Sequence, residues 1–220
     1  MWNWLSQNAQ LLNTFLNLGM LLIWGIYLQL LLNNFRRQRH AKLIINRGKG
    51  RGINALCIIS NMSQEPIFVE AIIGSLETSD GDYTFDITDF TDESQDAQGR
   101  GGQEGGSSEL RQVTRQGPMS QGQYVQIGSY RQLIKGVAAH HGITVDERCF
   151  PKGDLVFKSF ELRLIALYGP EDHPVGARRR FRIEQDDSGD YVLVPDTPRT
   201  LQLKKRRERR EIERWLEDLM

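Results

Sequence analysis

Between Met1 and Phe35 this 220-residue chain has no Asp, Glu, Lys or Arg. An uncharged stretch of that length excludes an ordinary solvated surface helix, which alternates an apolar stripe with charge. Cysteine is scarce: Cys57 and Cys149 are the only two. That number excludes a small exported domain stapled by several disulfides and fits a reducing compartment. Metal and nucleotide motifs are missing too. No H-x-x-x-H, C-x-x-C, H-E-x-x-H or G-x-x-x-x-G-K-[ST] spacing occurs. Lys plus Arg and Asp plus Glu each number 28, so the whole chain has no bulk attraction for nucleic acid. The basic segments also lack interleaved aromatics for base stacking, and no nucleic-acid partner is expected.

What fills the uncharged stretch is apolar. The run from Leu11 to Leu32 has thirteen Leu, Ile or Phe side chains. As a helix it reaches roughly 33 Å, enough for a hydrocarbon core of about 30 Å. Those side chains favour insertion by on the order of 4 to 8 kcal/mol, against the uncharged Asn13, Asn17 and Gln29. A cleavable signal peptide would need a basic n-region and a small-residue cleavage site; the flanks MWNWLSQNAQ and NNFRRQRHAK supply neither. The segment therefore reads as a single transmembrane helix over about 11–32, within an uncharged region 1–35. Arg36, Arg37, Arg39 and Lys42 follow it and nothing basic precedes it. The positive-inside rule then places the N-terminus outside and the rest in the cytoplasm, at a bacterial inner membrane. Those four cations are the expected contacts with the membrane surface. Gln10, Asn13, Thr14 and Asn17 recur at helical spacing on one face. They read either as a face among headgroups or as a helix–helix contact.

Beyond the basic juxtamembrane segment 36–52 the periodicity changes. AKLIINR, INALCIISNMS, PIFVEAIIGSL, DYTFDITDF, QYVQIGSY, LVFKSFELRLIALYG, RRRFRIEQ and DYVLVP read as strands, bounded by Gly, Asn, Ser and Pro. Strands at this spacing, with little helix between them, predict a mainly β fold: an antiparallel, immunoglobulin-like β-sandwich over 41–203. RRRFRIEQ and DYVLVP, joined by DDSG, form the clearest hairpin. RQLIKGVAAHH predicts a short connecting helix ending near Gly142. The Gly-, Gln- and Ser-rich stretch 91–109 cannot bury enough apolar surface to offset ordering entropy and reads as a mobile loop. Residues 204–220 predict an amphipathic helix with Ile212, Trp215, Leu216 and Leu219 on one edge.

Candidate chemistry is thin. His140 and His141 are adjacent and point about 100° apart on a helix. Cys57 sits in an apolar strand and reads as core. The acidic run containing Asp82, Asp86, Asp89, Asp92 and Glu93 does not reproduce an EF-hand and offers at most a weak Ca²⁺ loop. Asn61-Met-Ser is a formal glycosylation sequon that a cytosolic placement makes irrelevant. No catalytic residue, metal or cofactor is implied.

Basic clusters at 36–51, 178–182 and 204–210 read either as leaflet-facing charge or as ordinary solvated pairs. The expected role is a membrane-tethered, non-enzymatic interaction module. Its partners are membrane lipid and a protein or a second copy, with Trp215, Leu216 and Leu219 as anchors. The alternative is an accessory subunit assembled through the polar helix face. Extraction tests the shared premise: the full chain is expected to stay in the membrane pellet through an alkaline carbonate wash and to leave it only with detergent.

Overall fold

The apolar run from Leu11 to Leu32 lies within one helix, α1, Ala9–Gln38. Its Ala9–Phe35 portion is 27 residues long, with a mean hydropathy of 1.9 in its most apolar window and none of that window buried. Leu21, Ile23 and Trp24 are 72, 68 and 65 % exposed. A helix this long and apolar is sufficient to span a membrane. The computed structural model describes residues 8–38, 40–88, 115–171, 173–203 and 206–217. It divides into two units, Met1–His40 and Ala41–Met220.

The second unit is mainly β. Its strands are β1 Leu43–Arg47, β2 Leu56–Asn61, β3 Ile67–Thr78, β4 Asp82–Asp86, β5 Gly117–Met119, β6 Tyr124–Ser129, β7 Phe157–Tyr168, β8 Val175–Gln185, β9 Tyr191–Pro195 and β10 Leu201–Leu203. They form two antiparallel sheets. The smaller has the order β1-β2-β6; the larger has β10-β8-β7-β3-β4, with β5 beside β3 and β9 beside β8. The expected hairpin is present, with Gln185 opposite Tyr191 and Phe181 opposite Pro195. Strands β5 and β10 have three residues each, too short for a periodic signal. The expected loop 91–109 lies outside the described residues.

Both sheets give their inner faces to one core. Leu43, Ile45, Cys57 and Ile59 come from the smaller sheet, and Ile72, Leu76, Phe160, Leu162, Leu164 and Phe181 from the larger. Full burial of each large side chain is worth about 1.5–3 kcal/mol. Helix α2, Tyr130–His140, closes one side with Leu133, Ile134 and Val137. A capping box starts it: Ser129 Oγ accepts from Gln132 N, and the Gln132 side chain accepts from Ser129 N. The sheets are also tied by polar side chains. Gln202 Oε1 accepts from Leu43 N at 3.0 Å while its amide donates to Leu43 O, and Thr200 Oγ1 accepts from Ile45 N at 2.9 Å. Two side chains near and on β10 thus stand in for a strand along the outer edge of β1.

A second apolar layer lies on the opposite face of the larger sheet. Helix α3, Arg206–Glu217, buries Ile212 and Trp215 against Ala71, Ile73, Ile165 and Leu203. This explains the run Ala71–Leu76, buried on successive residues rather than alternate ones. Two glycines set how closely the helices approach. A Cβ on Gly176 would lie 2.8 Å from Ile212 Cδ1, and one on Gly74 would lie 2.9 Å from Val137 Cγ2. Gly176→Val is therefore expected to undock α3. Hydrogen exchange should accelerate in 206–217 while the β7–β8 ladder stays protected, at a cost of about 1–3 kcal/mol. Gly74→Val strikes the main core and should instead lower protection throughout the unit.

Candidate functional site

The residues singled out in the sequence are dispersed. On α1, Thr14 Oγ1 donates to Gln10 O at 2.9 Å, so that hydroxyl is satisfied within its own helix. The side chains of Asn13 and Asn17 are exposed and have no partner among the described residues. The backbone of Arg36 and Arg37 continues α1, Arg39 lies outside the described residues, and Lys42 is exposed at the start of the second unit. Trp215 is only 6 % exposed, and its ring carries Arg163 Cζ at 4.8 Å. The amphipathic edge of α3 is thus committed to the chain's own sheet, which corrects the reading of Trp215 as a free anchor. Leu216 packs partly on the same cluster, and Leu219 lies outside the described residues.

The basic run 178–182 also resolves into internal pairing, because alternate residues face opposite ways. Arg178 meets Glu211 at 2.7 Å, Arg180 pairs with Glu77 and Asp196, and Arg182 meets Asp196 and Glu184, each at 3.1 Å. Arg209 meets Glu171 at 3.0 Å. These carboxylates are the partners the fold itself provides. Arg179 points inward and donates to Ile45 O and, at 2.8 Å, to Asn46 Oδ1 on the other sheet. The sequon asparagine, Asn61, is fully buried. Its amide donates to Glu65 O and Met119 O, and its Oδ1 accepts from Ser63 N at 2.9 Å.

The feature with most chemical content is a cleft that no linear spacing announces. It has a volume of about 520 Å³ and is lined by Arg51, Asn54, Arg131, Arg148, Glu184, Asp186, Asp190 and Tyr191, with backbone from β9. Three arginines reach it from three segments. The β1–β2 loop, which carries Arg51, is pinned to β9: Leu193 N donates to Arg51 O at 2.9 Å, and Ile53 N to Tyr191 O at 3.1 Å. The first turn of α2 carries Arg131, whose backbone N–H donates to Ile53 O at 2.8 Å.

Arg148 sits on a tight loop. Phe150 N donates to Asp146 Oδ1 at 2.7 Å, Asp146 N to Phe150 O at 2.8 Å, and Arg131 Nη1 to Glu147 O at 3.0 Å. The Phe150 ring packs on Tyr191 with centroids 4.1 Å apart. These contacts hold Cys149 at φ 72°, a left-handed conformation costly for a residue with a Cβ.

The three carboxylates all belong to the β8–β9 hairpin, and two are engaged. Glu184 pairs with Arg182, and Asp186 Oδ1 accepts from Ser188 N and Asp190 N at 3.0 and 2.9 Å. By contrast, Arg51 and Arg148 make no ion pair among the described residues, and the buried Nε of Arg131 has no acceptor.

Neither cysteine is poised for nucleophilic chemistry. Burial pushes Cys57 up to about 12 and Cys149 up to about 11. A thiol that holds its proton at neutral pH is a poor nucleophile. Cys57 neighbours the Tyr130 phenol, which desolvation also raises. No three His, Cys, Asp or Glu side chains cluster in metal-binding fashion among the described residues.

No protein-family model, curated protein or solved structure matches the chain. Its function is therefore read from its own residues. The thiols give a pH test. An unfolded thiol ionises near its ordinary 9.0, whereas folded Cys57 keeps its proton to about 12. The resulting stability is complete below pH 9 and is lost as pH rises through 12. The denaturant midpoint is expected to fall steadily over that window. The fall should be shallower in Cys57→Ala, with Cys149, Tyr191, Tyr130 and Tyr168, all raised by burial, supplying the remainder.

Proposed function

We propose that this chain is a membrane-tethered, non-enzymatic interaction module. In this reading α1 spans a bacterial inner membrane with its N-terminus outside, and the β-rich unit works in the cytoplasm. The observation that carries it is α1: 27 residues from Ala9 to Phe35, uncharged and with no part of its most apolar window buried. The cations Arg36, Arg37, Arg39 and Lys42 support the orientation, and each contributes about 1 kcal/mol beside anionic lipid. The two antiparallel sheets around one core support the sandwich form; its immunoglobulin-like variant rests on strand number and spacing alone.

A protein partner would meet the unit where apolar surface remains open. Phe68 and Leu167 stand opposite each other in the β3–β7 register and are 44 and 45 % exposed. A photo-crosslinking residue at Leu167 in native membranes is expected to give a discrete adduct, and one at exposed Lys158 none. No adduct at either position would remove the module reading. A C-terminal reporter tests the topology: fluorescence without alkaline phosphatase activity is the expected result.

The second reading, an accessory subunit assembled through α1, draws on Asn13 and Asn17, whose amides lack partners among the described residues. Hydrogen bonds between such amides are worth roughly 1 kcal/mol each across membrane helices. Cysteines placed at Asn13 or Asn17 would then form crosslinked dimers, and only monomers would remove this reading.

A further inference from the structure

We propose that the arginine-lined cleft of the β-rich unit binds a small phosphate ester that also carries hydroxyl or ammonium groups. The cleft lies wholly within Ala41–Met220.

The cleft's size, about 520 Å³, falls within the range of small-molecule sites. Arg51, Arg131 and Arg148 converge on it, and the planar fork of a guanidinium matches the oxygens of a phosphate in paired hydrogen bonds. Arg131 spends Nη1 on Glu147 O at 3.0 Å, and the other two cations are unspent. Arg51 and Arg148 have no carboxylate partner among the described residues, and the Arg131 Nε is a buried donor without an acceptor. The loop that presents Arg148 is held in a strained form at Cys149 by the Asp146 cap and the Phe150–Tyr191 contact. Strain kept in place by several contacts is characteristic of binding sites.

The opposing hairpin supplies the second half of the recognition. Glu184 is engaged by Arg182 and Asp186 by its own turn, which leaves the Asp190 carboxylate open to accept from a ligand. Formal charge over the lining is balanced, three arginines against three carboxylates, which disfavours a bare polyanion. It suits a molecule with an oxyanion at one end and donors at the other.

Titration calorimetry on the full chain in dodecyl maltoside, in phosphate-free buffer, tests this with glycerol 3-phosphate as the probe. One saturable site is expected, with no response to glycerol. The Arg51→Gln/Arg148→Gln pair changes two exposed side chains. It should weaken binding by at least about tenfold while leaving the melting temperature unchanged. Arg210→Gln, on α3, should bind as the parent does. Absence of saturable binding, or equal binding by the double variant, would overturn the site. Inorganic phosphate binding as tightly as the ester would overturn the ester assignment. Competition by a soluble short-chain phosphatidylglycerol identifies the source: displacement means a lipid headgroup, and no displacement a free phosphate ester, and both retain the site.

Discussion

The outer edge of β1 is the constraint on which the domain turns. An edge strand exposes a row of N–H and C=O groups that water, another chain or its own fold must satisfy. Here the fold satisfies them with side chains. Gln202 brackets the backbone of Leu43, and Thr200 does the same for Ile45. Because both come from the segment around β10, in the larger sheet, the seal also joins the two sheets. Arg179 adds a strut from β8 to Ile45 and Asn46. With the sheets joined, one face of each becomes core. The remaining face of the larger sheet is free to receive α3.

Charge placement follows from the same geometry. Side chains alternate along β8, so a run that looks uniformly basic divides into Arg178, Arg180 and Arg182 on one side and Arg179 on the other. The outward three meet Glu211, Glu77, Asp196 and Glu184. Exposed pairs of this kind are worth up to about 1 kcal/mol each, and their larger effect is to neutralise the face on which α3 lies. The inward arginine is an inter-sheet donor through Nη1, while its buried Nε has no partner among the described residues. The cations that line the cleft lie elsewhere: Arg51 and Arg148 on loops, and the partly covered Arg131 in the first turn of α2.

The arginine cleft illustrates how the scaffold positions loops. Strand β9 is the common support. Its backbone bonds the β1–β2 loop, its Tyr191 receives Phe150, and its hairpin turn carries the acidic wall. Each arginine is thus held at one remove from the same strand, and a left-handed residue at Cys149 is retained because its neighbours over-determine it.

Much of this was legible in the residues alone. The apolar run and its uncharged length mark α1 as a helix long and apolar enough to span a membrane, because length and hydropathy are read from local composition. Segments rich in Ile, Val, Leu and Phe between turn residues located eight of the ten strands, and the hydrophobic spacing located α2 and α3, since these signals are local. Strands β5 and β10 escaped because three residues hold no period. Tertiary structure alone decided the rest. It set which sheet face α3 covers, and hence that Trp215 is packing rather than an anchor. It set which arginines meet carboxylates, and the convergence of Arg51, Arg131 and Arg148 on one cleft. The physical reason is that pairing and convergence depend on distances between segments far apart in the chain, which local composition does not encode.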